Sequence, residues 1–100
     1  MAGVLTVVAK IYPKTGREGE VEALLVKMAA AVRQHEPDCL VYRPHRSASE
    51  PTTFYFYEQY RTDAAFELHR TAAHLAGYRG ELKELVARPS EIEIYRSLTA

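Results

Sequence analysis

The sequence predicts an α+β domain with the element order β-α-β-β-α-β. Three observations carry this: strand-like runs of β-branched and aromatic residues, two stretches with apolar residues at three- and four-residue spacing, and proline or glycine between them. Residues 3–12 are rich in Val and Ile and read as the first strand. Their nearly continuous apolar run predicts cover on both faces. Pro13 and Gly16 end that strand, and Thr15 followed by Glu18 fits a capping box. Behind it, Val21, Leu24, Leu25, Met28, Ala29 and Val32 form one apolar stripe on a helix that ends near His35, before Pro37.

Residues 40–45 read as the second strand, residues 47–51 as a polar turn and residues 52–60 as an aromatic-dense third strand. So short a connection predicts an antiparallel hairpin. Thr62 or Asp63 caps a short helix running through His69. A longer helix covers about residues 71–87, with Leu75, Tyr78, Leu82, Leu85 and Val86 facing inward and Gly77 and Gly80 weakening its middle. Pro89 stops it, and residues 92–98 supply the last strand. This is the ferredoxin-like order, an antiparallel sheet with helices on one face. Two helices cover only one face of four strands, and the other keeps half of the aromatic and β-branched side chains. A homodimer that pairs sheet to sheet would cover it.

One hundred residues suffice for a single domain spanning residues 1–100. Thirteen basic residues balance thirteen acidic ones, so no general electrostatic grip on nucleic acid or anionic membrane is expected. No stretch approaches the roughly 20 apolar residues of a membrane span. The lone Cys39 points to no disulfide framework and the N-terminus has no secretory pattern, so a cytoplasmic location is expected.

Candidate chemistry rests on histidine, tyrosine, arginine and carboxylate. His69 and His74 lie five residues apart, not the four of a helical zinc pair, and no metal site is expected. Two roles fit them: helix-terminus residues bonded to backbone, or imidazoles lining a pocket between helices and sheet, where one takes a proton from a phenol or enol. Tyr78, four residues beyond His74, either orients a ring or fills the core. Glu58, Tyr60, Phe54 and Phe56 share one face of the third strand. A carboxylate there needs a partner, and Arg43 on the neighbouring strand is the candidate. Tyr42, Tyr55, Tyr57 and Tyr95 fit an interface as well as a substrate. Gly16 and Gly19 form neither a P-loop nor a dinucleotide fingerprint, no G-x-S-x-G elbow exists, and the aromatic third strand lacks an RNA-binding signature.

The helix-opening glycine after the first strand, the segment Glu36-Pro37-Asp38-Cys39-Leu40-Val41-Tyr42, the Glu58-x-Tyr60 strand end and the Ala65-x-x-x-His69-x-x-x-x-His74 run resemble the antibiotic biosynthesis monooxygenase family. Asp38 stands where that family often has Gly, and Tyr60 where it often has Trp. The resemblance implies a dimeric α+β barrel with one pocket per subunit. It also implies cofactor-free oxidation of a phenol, quinol or anthrone-like polycycle by molecular oxygen. In that chemistry His74, with His69 close by, would accept the proton. Tyr60 and Tyr78 would hold the ring beside Phe56 and Glu58, and Arg43 would steady an oxyanion. The haem-degrading branch fits poorly, since Ala9, His69 and Arg79 stand where it keeps Asn, Trp and the axial His. An acid-base isomerase of a small phosphorylated ketone and a non-catalytic binding or stress-associated dimer are the alternatives.

Overall fold

The computed structural model describes residues 3–99 and contains the expected elements: β1 (Leu5–Ile11), α1 (Glu18–His35), β2 (Cys39–Arg46), β3 (Phe54–Tyr60), α2 (Asp63–Arg70), α3 (Ala73–Leu85) and β4 (Glu91–Arg96). The four strands form one antiparallel sheet in the order β2-β3-β1-β4, the ferredoxin-like arrangement. β1 does not have cover on both faces. Leu5, Val7, Ala9 and Ile11 are buried under the helices, whereas Thr6 and Val8 are half-buried and Lys10 is exposed. Among the described residues the sheet of the single chain stays open, and no barrel is closed.

The expected α1 stripe is buried along its length: Val21, Leu24, Leu25, Met28 and Val32. Its start differs from the capping box. Gly16, at φ +85°, makes the turn, and Arg17 is the cap residue, its side chain paired with Glu20 rather than capping the helix amides. Only the Glu18 carboxylate reaches back, accepting from the Gly16 amide at 3.3 Å, because the positive-φ glycine separates Thr15 from the helix start. At the other end, the residue before a proline is pushed out of helical geometry. Glu36, preceding Pro37, leaves the helix at φ −126°, ψ 81° while its amide still donates to the Val32 carbonyl.

Thr62 caps α2, its hydroxyl accepting from the Ala65 amide at 3.1 Å. The chain breaks at Thr71 and Ala72 before α3 begins. The end of α3 is tied to the exit of β1 by the amides of Lys14 and Ala87, which donate to the carbonyls of Leu85 and Tyr12 at 2.8 Å each. The last strand then lies beyond helix cover. Ile92 and Ile94 pair with Ala9 and Val7 and so share the helix-facing side, yet they remain 60% and 53% exposed. Tertiary packing thus leaves a gap between β4 and the helices. The core divides around it. One cluster joins α1 to Phe54, Phe56 and Leu75, and another joins Leu5, Val7, Tyr60 and Phe66. On β3, Glu58 stands between the two.

Candidate active site

The gap opens into a cavity of about 580 Å³ between the sheet and α2–α3, inside the roughly 300–1,000 Å³ range of small-molecule sites. Its walls are largely apolar, from Ala9, Ile11, Phe56, Leu82, Val86 and Ile92; Tyr42, Glu58, His69 and Arg79 enter it, and Lys83, Arg88 and Ser90 also line it. A second lobe of about 510 Å³ shares Glu58, His69, Arg79 and Ile92 and extends past Phe66 and Ile94.

His69 occupies the last turn of α2 and is only 6% exposed. Its Nδ1 lies 3.0 Å from Glu36 Oε1, while Nε2 lies 3.9 Å from Glu58 Oε1, at the cavity. A carboxylate only accepts, so Glu36 holds the proton on Nδ1 and leaves the Nε2 lone pair directed at the cavity side. Burial pulls the imidazole pKa below its ordinary 6.5, outweighing the opposing pull of Glu36, which keeps the ring neutral at physiological pH.

Glu58 is 5% exposed. Desolvation raises its pKa to about 7, against the stabilising hydrogen bond from the Tyr60 hydroxyl at 2.6 Å. Arg43 is not its partner. Arg43 sits opposite Tyr57, and Glu58 sits opposite Tyr42, so Arg43 faces away from the helices and is exposed. A register shift between Cys39 and Val41 sets this alternation.

The cation beside His69 is Arg79. Its guanidinium donates to the carbonyls of His69 (2.7 Å) and Arg70 (2.9 Å) at the C-terminal end of α2, where the His69 carbonyl also accepts from the Ala72 amide at 3.3 Å. Tyr42 stacks on Phe56 at 4.2 Å between ring centroids and leans on His69 at 5.0 Å, and burial drives its phenol pKa well above 10.

The remaining expected residues fall outside the cavity. Tyr60 is fully buried and holds Glu58 rather than a ring. Tyr78 packs against the α1 core cluster. His74 lies behind Glu36, its Nε2 2.7 Å from Oε2, and stacks on His35 at 4.8 Å. It lines a separate cavity of about 330 Å³ with His35, Asp38 and Cys39. Three residues outside the main sequence-based site become prominent: Glu36, Tyr42, which fitted an interface as well as a substrate, and Arg79. The Glu-Pro pair at a helix end was a readable signal for the first. Among the described residues, no three His, Cys, Asp or Glu side chains are arranged to hold a metal ion.

A sequence model of antibiotic biosynthesis monooxygenases matches residues 4–80. The Mycobacterium tuberculosis protein named "Putative monooxygenase Rv0793" is 30% identical over 98 residues, spanning 98% of this chain and 95% of its own. The solved Rv0793 structure superposes with a TM-score of 0.88 at 28% identity, covering 98% of both chains. PA3566 from Pseudomonas aeruginosa gives 0.88 at 29% identity, covering 99% of this chain and 98% of its own. A Caulobacter crescentus structure gives 0.92 at 26% identity, covering 98% and 92%. With the fold, the family model and a relative matched along nearly its whole length in agreement, this chain belongs to the antibiotic biosynthesis monooxygenase family.

Proposed function

We propose that the protein is a cofactor-independent monooxygenase, acting as a homodimer, that oxidises an electron-rich aromatic compound with molecular oxygen. The observation that carries this reading is the single buried imidazole at the cavity, neutral and held by Glu36 with Nε2 as its acceptor. An activated ring methylene or phenol gives its proton to Nε2. The resulting anion is held between the Arg79 guanidinium and the Tyr42–Phe56 stack, where low polarity strengthens the charge contact.

The anion passes one electron to oxygen, and the radical pair joins to form a C–O bond. For an anthrone-like methylene, His69 returns its proton to the peroxide and then takes the carbon's remaining proton; that C–H electron pair forms the C=O bond as the O–O bond breaks, and the departing hydroxide takes the proton from His69 and leaves as water. One oxygen atom ends in product and the other in water. The apolar walls shield the radical pair from solvent. The homodimer rests on the sheet face turned away from the helices, where Val8, Val41, Tyr55 and Tyr57 are only half-covered and Tyr95 is exposed.

Oxygen uptake against a panel of anthrones, naphthols and hydroquinones, corrected for autoxidation, tests the activity. His69→Ala should lower enzyme-dependent uptake by about 10²–10⁴-fold. A folded His69→Ala variant with full activity would remove this mechanism. Sedimentation equilibrium showing only monomer at micromolar concentration would remove the dimer.

A further inference from the structure

The cavity has a charge balance unlike that of the chain. The chain is neutral overall, yet Arg79, Lys83 and Arg88 line the cavity against one carboxyl group, Glu58. Arg79 stands at the reacting end. Lys83 and Arg88 lie where α3 runs out and the chain turns through Pro89 and Ser90 into β4, and both are exposed. Among the described residues, neither forms an ion pair with a carboxylate, and the nearby α3 acids Glu81 and Glu84 do not line the cavity.

Arg88 is held in place. Its guanidinium lies 3.8 Å from the centroid of the Tyr12 ring, whose hydroxyl donates to Glu91, and the adjacent Ala87 amide is bonded to the Tyr12 carbonyl. A guanidinium lying over an aromatic face keeps its N–H edge for a planar acceptor such as a carboxylate. An apolar slot with two unpaired cations at its mouth suits a ligand with an apolar ring and an anionic end.

We propose that the substrate is an aromatic compound carrying a carboxylate, its ring seated toward His69 and its carboxylate bound by Lys83 and Arg88. The proposal rests on the oxygenase reading of the same cavity. It also divides the labour between the cations: the outer pair takes the substrate's permanent charge and leaves Arg79 to the oxyanion that develops during reaction.

Calorimetric binding of a matched pair, anthraquinone-2-carboxylate and anthraquinone-2-carboxamide, separates the two ideas, because both rings are already oxidised and need no turnover. The carboxylate should bind about tenfold more tightly. That preference should shrink as salt rises and fall to near unity in the double variant Lys83→Gln/Arg88→Gln. Lys27→Gln, on the exposed surface of α1, should leave it intact. Equal affinity for the two compounds, or a preference that survives the double variant, overturns the carboxylate proposal and leaves the oxygenase reading standing. Failure of both rings to bind overturns the oxygenase reading and the carboxylate proposal together.

Discussion

Replacing Glu58 with Gln should stabilise the protein at alkaline pH and leave it nearly unchanged at acid pH. Glu58 is 5% exposed, and burial moves its pKa from the ordinary 4.5 to about 7. Between those values the folded chain holds a proton that the unfolded chain has released, so stability falls as pH rises. The span corresponds to about 3 kcal/mol, fully absent below pH 4.5 and fully present above about pH 7. Glutamine keeps the side-chain size and still accepts the Tyr60 hydroxyl at the Glu58 position, so it removes the charge without opening a hole. Urea denaturation of wild type and Glu58→Gln at half-unit steps from pH 4.5 to 8.5 measures the difference directly. The variant's advantage should be near zero at the acid end and rise to about 3 kcal/mol at the alkaline end. A difference that stays flat with pH would show that Glu58 ionises as freely in the fold as in water, and the account of its burial would be wrong.

The acid limb of kcat/KM should lie below pH 6.5, because burial lowers the pKa of His69 and its neutral form is the one that accepts a proton; a limb above 6.5 in a pH–rate profile contradicts this. His74→Ala should reduce oxygen uptake less than His69→Ala does, since His74 touches Glu36 and not the cavity; equal losses in the two variants would place both imidazoles at the reacting atoms. Burial, aided by Glu36 and Glu58, pushes the Cys39 thiol up to about 12, so alkylation by iodoacetamide at pH 8 should be slow in the native protein and fast in urea. Thr62→Ala removes the α2 cap and should cost about 1 kcal/mol, a fall in Tm of about 4–8 °C by calorimetry.

Local chemistry is what the sequence determines most directly here. Apolar spacing drew the α1 stripe, alternation put Phe54, Phe56, Glu58 and Tyr60 on one face of β3, and Pro37 marked the end of α1, whereas α3 ends at Leu85, short of the expected end, and Val86 bridges to Pro13. Thr62 announced its helix because a hydroxyl at that position satisfies an orphan amide whatever the tertiary fold. The capping box at Thr15 failed under the same rule, since a positive-φ glycine intervened and moved the helix start to Arg17.

Contacts between elements belonged to the tertiary structure. Arg43 and Tyr42 are adjacent in sequence, and a register shift in β2 decided which of them faces the cavity; a slip of one residue exchanges every side chain between faces. The sequence placed His69 and His74 on successive helices and favoured His74 as the base. Only the fold shows that both converge on Glu36, a residue more than thirty positions away, with His69 and not His74 at the cavity. Arg79 is fixed beside His69 by the carbonyls at the end of α2, a contact between helices that the sequence does not show. Side-chain identity and periodicity are properties of the chain. Which imidazole meets the cavity depends on the packing of α2 and α3 against the sheet, and that packing brings Glu36, Glu58, His69 and Arg79 together from four separate elements.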